Sequence, residues 1–206
     1  MTDARVRAFV AVPLPDQAKF YLQLVQQELC NAAGDRDVKW VGLEGMHITL
    51  KFLGTVSVQQ IIPIAEALHR AITGIAEFDI ALSTLGAFPS LQRPRVVWVG
   101  ATGAVDRLAI LFEQVEKQLS VFGFPPENRP FAAHITLGRV RERISPELRS
   151  RLEQAVQHRR QLEDGPGVHV DRIILYQSTL IPKGAIYAPL ATSLLEGCPS
   201  PVPKME

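Results

Sequence analysis

His47-Ile48-Thr49-Leu50 recurs without change as His134-Ile135-Thr136-Leu137, once in each half of a 206-residue chain. Residues two apart in an extended strand point to the same face. Each copy then presents an imidazole and a hydroxyl on one side and buries Ile and Leu on the other. Brought face to face, the copies form a site with two histidines and two hydroxyls. The bland alternative is a core strand with a satisfied buried histidine, but that gives no reason for His and Thr to share a face twice.

The segments around the repeats read as alternating strands and helices. Val6 to Val12 is of strand type, with Ala8, Val10 and Val12 on one face and Arg7, Phe9 and Ala11 on the other, and Pro13 and Pro15 close it. Asp16 to Leu29 has helical spacing and Gly34 as a stop, and Val38 to Val41 is a brief strand. The first motif strand runs from His47 to Leu53 and ends at Gly54. Gln59 to Ile72 is a helix with Pro63 in its first turn. Phe78 to Leu85 and Val96 to Val99 form an antiparallel pair, and Asp106 to Phe122 is a helix. Pro125, Pro126 and Pro130 force an irregular approach to the second motif strand, which ends near Val140. Ser145-Pro146 starts a capped helix reaching about Arg160. Val168 to Ser178 and Ile186 to Leu190 are the last strands, parted by a turn at Pro182-Lys183-Gly184. This order predicts an α+β fold with antiparallel-rich sheets and helices packed outside.

A chain that is 47% hydrophobic can bury a substantial core without staples. The net charge of +1 argues against a broad basic surface for long nucleic acid and leaves room for a local cationic pocket. Cys30 and Cys198 fit no metal spacing and read as reduced thiols. Met1 to Arg7 has no apolar signal core, and no apolar run is long enough to span a bilayer. These features predict a cytoplasmic protein, monomeric by default and without membrane partners.

Two histidines and two threonines are a sparse metal set. Glu44 and Glu142 lie near in sequence but have no reason to converge. A threonine nucleophile would need activation, and two copies would be redundant. Paired acid–base work fits better: an imidazole of ordinary pKa about 6.5 can accept or donate a proton, while the hydroxyls bond anionic oxygens. That combination suits phosphodiester chemistry without a metal or other cofactor.

The chain resembles the 2H phosphoesterase superfamily, marked by two His-x-Thr motifs on facing lobes. Within it, the chain is similar to the RNA 2′,3′-cyclic phosphodiesterases, also described as 2′-5′ RNA ligases. The resemblance rests on Arg7-Ala8-Phe9-Val10-Ala11-Val12, Trp40-Val41, His47 through Gly54, Gly86-Ala87-Phe88-Pro89 and Arg93-Pro94-Arg95-Val96. It continues through Phe131 to Arg139, Ser178 to Gly184, and Tyr187. It implies a bilobal pseudo-twofold fold, with two antiparallel-rich sheets lining a central cleft. The whole of 1–197 would be one domain of two intertwined lobes, with 198–206 a flexible tail. It also implies hydrolysis of RNA ends bearing 2′,3′-cyclic phosphate to a 2′-phosphomonoester, with reverse 2′-5′ joining as a side activity and no cofactor.

The resemblance makes His47 and His134 the catalytic pair, with His134 as base and His47 as acid, and Thr49 and Thr136 the phosphate ligands. Where the family has Pro before the second His and Ala after its Leu, this chain has Ala133 and Gly138. Arg139 matches the family's phosphate-binding Arg. Strict alternation points it away from His134, so it needs a bulge, for which Gly138 is suited. Phe9 could stack on a base or serve the core, Lys51 falls on the His47 face, and Tyr187 could touch substrate. His69, His158 and His169 read as structural or surface residues. The competing expectations are a phosphodiesterase of small cyclic nucleotides or ADP-ribose cyclic phosphate, and a non-catalytic module that binds RNA ends.

Overall fold

Alternating apolar residues fold both repeats into strands that lie side by side. The computed structural model describes residues 4–33, 37–142, 144–162, 165–181 and 184–196. In chain order the elements are β1 (Arg5–Pro13), α1 (Asp16–Ala33), β2 (Val38–Trp40), β3 (His47–Ser57), α2 (Ile61–Ile72) and β4 (Phe78–Phe88). They continue with β5 (Val96–Gly103), α3 (Val105–Ser120), β6 (His134–Val140), α4 (Pro146–His158), β7 (Gly167–Val170), β8 (Arg172–Ile181) and β9 (Gly184–Leu194). Helix α1 turns Ala18, Leu22, Val25, Leu29 and Ala33 inward and packs on α4, while α2 packs on α3. Among the described residues, no helix is long and apolar enough to cross a membrane.

Every strand pairing is antiparallel, in the order β7-β4-β5-β6-β3-β1-β8-β9, with β2 added on β6. The two expected sheets are the halves β7-β4-β5-β6 and β3-β1-β8-β9, which meet at the single pair Ile48–Ile135. The connectivity runs twice: β1-α1-β3-α2-β4, then β5-α3-β6-α4-β8. The last strand of each repeat crosses to the other, β4 onto β5 and β8 onto β1, so neither repeat closes its sheet alone.

Two expectations change. The single strand read from Val168 to Ser178 is divided at Asp171 into β7 and β8, which belong to opposite halves. Asp171 O accepts from Leu195 N (2.8 Å) where the chain crosses over. Gly54 does not end β3. With φ 70° it carries the strand past a bulge, since β1 pairs Ala8 with Gly54 and Phe9 with Phe52, skipping Leu53. The 182–183 turn, Gly34 and the tail with Cys198 lie outside the described residues. Cys30 is a free, partly buried thiol.

A further bulge follows each motif, in the same place. The β1–β3 register passes from Ala11–Thr49 to Val10–Lys51, skipping Leu50, and the β5–β6 register passes from Trp98–Thr136 to Val97–Gly138, skipping Leu137. Each bulge inverts the alternation. Leu50 and Lys51 are both buried and Phe52 is exposed, just as Leu137 and Gly138 are buried and Arg139 is exposed. Lys51 therefore does not face the His47 side, contrary to the expectation. Its Nζ donates to Glu116 Oε2 (2.8 Å) and to Pro125 O (2.6 Å), with its side chain 2% exposed. The same Glu116 oxygen accepts from Glu127 N (3.0 Å).

Removing one partner of a buried ion pair leaves an uncompensated charge. Lys51→Met should lower unfolding stability by about 3 kcal/mol in urea titrations, and adding Glu116→Leu should recover most of that loss. A Lys51→Met protein as stable as the parent would show that the pair holds nothing.

Candidate active site

The Ile48–Ile135 pair fixes the register of the two motifs. In an antiparallel pair, one step to either side sets His47 against Thr136 and Thr49 against His134. Directly opposed side chains have Cβ atoms about 5 Å apart, and diagonal neighbours, here the two histidines, about 7–8 Å. Ile48, Leu50, Ile135 and Leu137 are at most 3% exposed, so all four polar side chains share the other face. No partner for the hydroxyl of Thr49 or Thr136 is found among the described residues. The site therefore sets two hydroxyls without partners among the described residues beside two imidazoles.

The two imidazoles sit in different surroundings. His47 stacks on Phe9 (centroids 4.8 Å), which stacks in turn on Tyr176 (5.3 Å), while Tyr187 meets both His47 and Phe9 edge-on at 5.4 Å. Burial in this aromatic box, with the charges of Lys19 and Arg139 adding to it, lowers the His47 pKa from 6.5 to about 4. At neutral pH His47 is an uncharged proton acceptor. His134 instead bonds through Nδ1 to Ala132 O (2.8 Å), with Phe88 edge-on at 5.1 Å. A carbonyl only accepts, so Nδ1 carries the proton and Nε2 is left free toward the cleft.

Arg139 reaches the His134 face through the bulge, and its charge is among those acting on His47. Glycine is required beside it, because a Cβ on Gly138 would lie 2.8 Å from both Trp40 Cε3 and Val38 Cγ1 of β2. Phe9 is 3% exposed and lies under His47, so it backs the imidazole and is not available to stack on a base. Tyr187 remains on the rim. Of the other histidines, His169 lies between Asp79 (2.9 Å) and Glu77 (3.2 Å) on β7 and β4, away from the motifs. No group of three or more His, Cys, Asp or Glu among the described residues is placed to hold a metal ion.

Four neighbours were not singled out from the sequence: Phe52, Lys19, Tyr176 and Phe88. Phe52, 58% exposed, occupies in β3 the position that Arg139 occupies in β6. Laying one motif over the other, three residues past the Thr, would have found it. Lys19 stands 3.9 Å from Glu44 on the turn before β3, a contact made across the fold and without a local signal.

Two imidazoles, two hydroxyls and a guanidinium on one face make a candidate anion-binding site, and the comparisons bear on it directly. The chain belongs to the LigT-like phosphoesterase family, whose sequence model matches it twice, over residues 12–98 and 99–187. The two matches meet within β5, the strand with which the connectivity begins its second run. Proteins named RNA 2′,3′-cyclic phosphodiesterase are similar to it. The one from Thermotoga maritima is 34% identical over 93% of this chain and 97% of its own. The one from Archaeoglobus fulgidus is 35% identical over 90% and 98%, and that from Aeropyrum pernix 40% over 74% and 84%. A Thermus thermophilus crystal structure matches with TM-score 0.73 at 29% identity, covering 93% of this chain and 98% of that one. E. coli LigT complexed with 3′-AMP has the same fold, with TM-score 0.73 at 24% identity over 93% and 99%.

In imidazole NMR titrations, His47 should remain neutral down to pH about 4. Phe9→Ala should move its midpoint upward by admitting water to the ring. A His47 midpoint near 6.5 in the parent protein would contradict the desolvation account.

Proposed function

We propose that the protein is an RNA 2′,3′-cyclic phosphodiesterase that acts through both histidines without a metal. The observation that carries this reading is the pairing of two free-hydroxyl threonines with two histidines across Ile48–Ile135 on one open face. The cyclic phosphate sits between the imidazoles, its non-bridging oxygens held by Thr49, Thr136 and the Arg139 guanidinium. Water attacks phosphorus, the P–O3′ bond breaks, and a 2′-phosphomonoester with a free 3′-hydroxyl results. Tyr187 borders the bound nucleotide. The same reading takes 1–197 as one unit of two lobes, working as a cytoplasmic monomer on cellular RNA ends.

The roles of the histidines reverse the expectation from the sequence. Lowered pKa makes His47 the base that removes the proton from water. In the doubly protonated ring that the step requires, His134 keeps Nδ1–H anchored on Ala132 O and delivers its Nε2 proton to the departing O3′ without turning its ring. The same forward steps with a ribose 5′-hydroxyl in place of water form a 2′-5′ linkage, and running them backward cleaves it to the cyclic phosphate, so the same two groups serve both directions.

Purified protein should convert an oligonucleotide ending in 2′,3′-cyclic phosphate to the 2′-phosphate in EDTA. His47→Ala and His134→Ala should each lower kcat about 10²–10⁴-fold with the fold retained by circular dichroism. Inhibition by EDTA would sink the metal-free mechanism, and turnover of cyclic mononucleotides alone would move the substrate to small cyclic nucleotides. RNA-end binding with no turnover would leave a binding module. The acid limb of kcat/KM should fall near pH 4, where His47 takes up its proton, and an acid limb well above that pH would take the base role from His47.

A further inference from the structure

A second cluster of cations lies beyond the end of β6. A cavity of ≈ 220 Å³ is bordered by Arg93, Arg95, Arg141 and Arg149, with Glu142 and Ile144 completing it. One carboxylate lies among the four guanidinium groups and it pairs with Arg95, whose Nη1 is 3.2 Å from Glu142 Oε1. No hydrogen bond or ion pair is made by the side chains of Arg93, Arg141 and Arg149 among the described residues, and the Arg149 Nε is buried without a partner. Their backbones, in contrast, are fixed. Arg95 N donates to Phe88 O (2.7 Å), Val140 N to Arg95 O (2.9 Å) and Arg141 N to Asp37 O (2.8 Å). In a chain of net charge +1, such a local excess of like charge on a fixed frame is a site for an oxyanion.

The cavity is also tied to the catalytic cleft. Strand β6 runs from His134 through Arg139 directly into Arg141. Phe88 connects the two places a second time, its ring against His134 and its carbonyl on Arg95. Seven residues of strand separate His134 from Arg141, about 23 Å at ~3.3 Å per residue. A stacked strand advancing ~3.4 Å per phosphate covers that distance in about seven nucleotides, and an extended strand in fewer.

We propose that the arginine cavity binds a backbone phosphodiester of the same RNA strand, several nucleotides upstream of the end held by the two histidines. The inference rests on the cyclic-phosphodiesterase reading and adds to it a preference for oligonucleotides over mononucleotides. Arginine is suited to this, since its planar fork grips two phosphate oxygens without reading the base. Selection would act on length and not on sequence.

The test compares a cyclic mononucleotide with 2′,3′-cyclic-phosphate oligonucleotides of two to ten residues, using the parent protein and an Arg93→Gln/Arg141→Gln/Arg149→Gln variant. For the parent, kcat/KM should climb about tenfold and level off by about seven nucleotides, through KM. The variant should lose that climb while turning over the mononucleotide as the parent does, which also reports an intact fold. Its salt dependence on the longest substrate should be shallower by about 0.7 for each phosphate the variant no longer neutralises. A parent indifferent to length, a variant that keeps the climb, or a variant that also loses the mononucleotide would each overturn the proposal. If the parent turned over none of the substrates, the phosphodiesterase reading would fall. The cavity would then be judged by fluorescence anisotropy with a 2′-phosphorylated decamer: weaker binding by the variant supports it, and unchanged binding overturns it.

Discussion

The contact between Ile48 and Ile135 is the constraint on which the molecule depends. Among the described strands it is the one ladder pair joining the two halves of the sheet, and both side chains are wholly buried. Because side chains alternate along a strand, burying this pair forces His47, Thr49, His134 and Thr136 together onto the opposite face. A slip of either strand by one residue would send its His and Thr into the core. The hydrophobic requirement thus fixes the site's register before any polar group interacts, and the burial of Leu50 and Leu137 reinforces it.

A twofold arrangement makes two alike positions, whereas hydrolysis needs two unlike ones. The surroundings make the difference. His47 is packed among Phe9, Tyr176 and Tyr187 and feels two cations, while His134 is held by a backbone carbonyl. Both strands bulge after their motif, and the bulges turn Phe52 outward in one half and Arg139 in the other. One side of the cleft therefore gains an aromatic surface and the other a charge. An anion bound between the histidines would meet Arg139 on one side only, which gives the two ester oxygens of a cyclic phosphate different environments.

The motifs, the α+β class and most elements are legible in the sequence because they depend on local periodicity. What is not legible depends on register. Within Val168 to Ser178 the buried positions change phase at Asp171, from Val168 and Val170 to Ile173 and Leu175, a break that reading the run as one strand passes over. Strict alternation puts Lys51 on the wrong face because the bulge at Leu50 exists only where β1 and β3 pair. Arg139 carries a visible hint in Gly138, whereas Lys51 follows its motif without a glycine to mark the break. The lowered pKa of His47 likewise requires knowing that Phe9, Tyr176 and Tyr187, from three strands, converge on one ring.

The buried lysine also shows how the halves are fastened beyond the isoleucine pair. Position 51 in β3 corresponds to position 138 in β6, and both are buried one residue after a bulge. At 138 a glycine lets Trp40 and Val38 of β2 pack flat against the strand. At 51 a lysine reaches the other way, to Glu116 on α3 and the carbonyl of Pro125, while Glu116 also takes the amide of Glu127. The loop so held is the proline-rich approach to His134. The first motif strand thereby helps set where the second begins, through an ammonium group whose desolvation is offset by a carboxylate and a carbonyl at hydrogen-bonding distance. Removing that strut would act on His134 through the backbone that carries it, although Lys51 never faces the cleft.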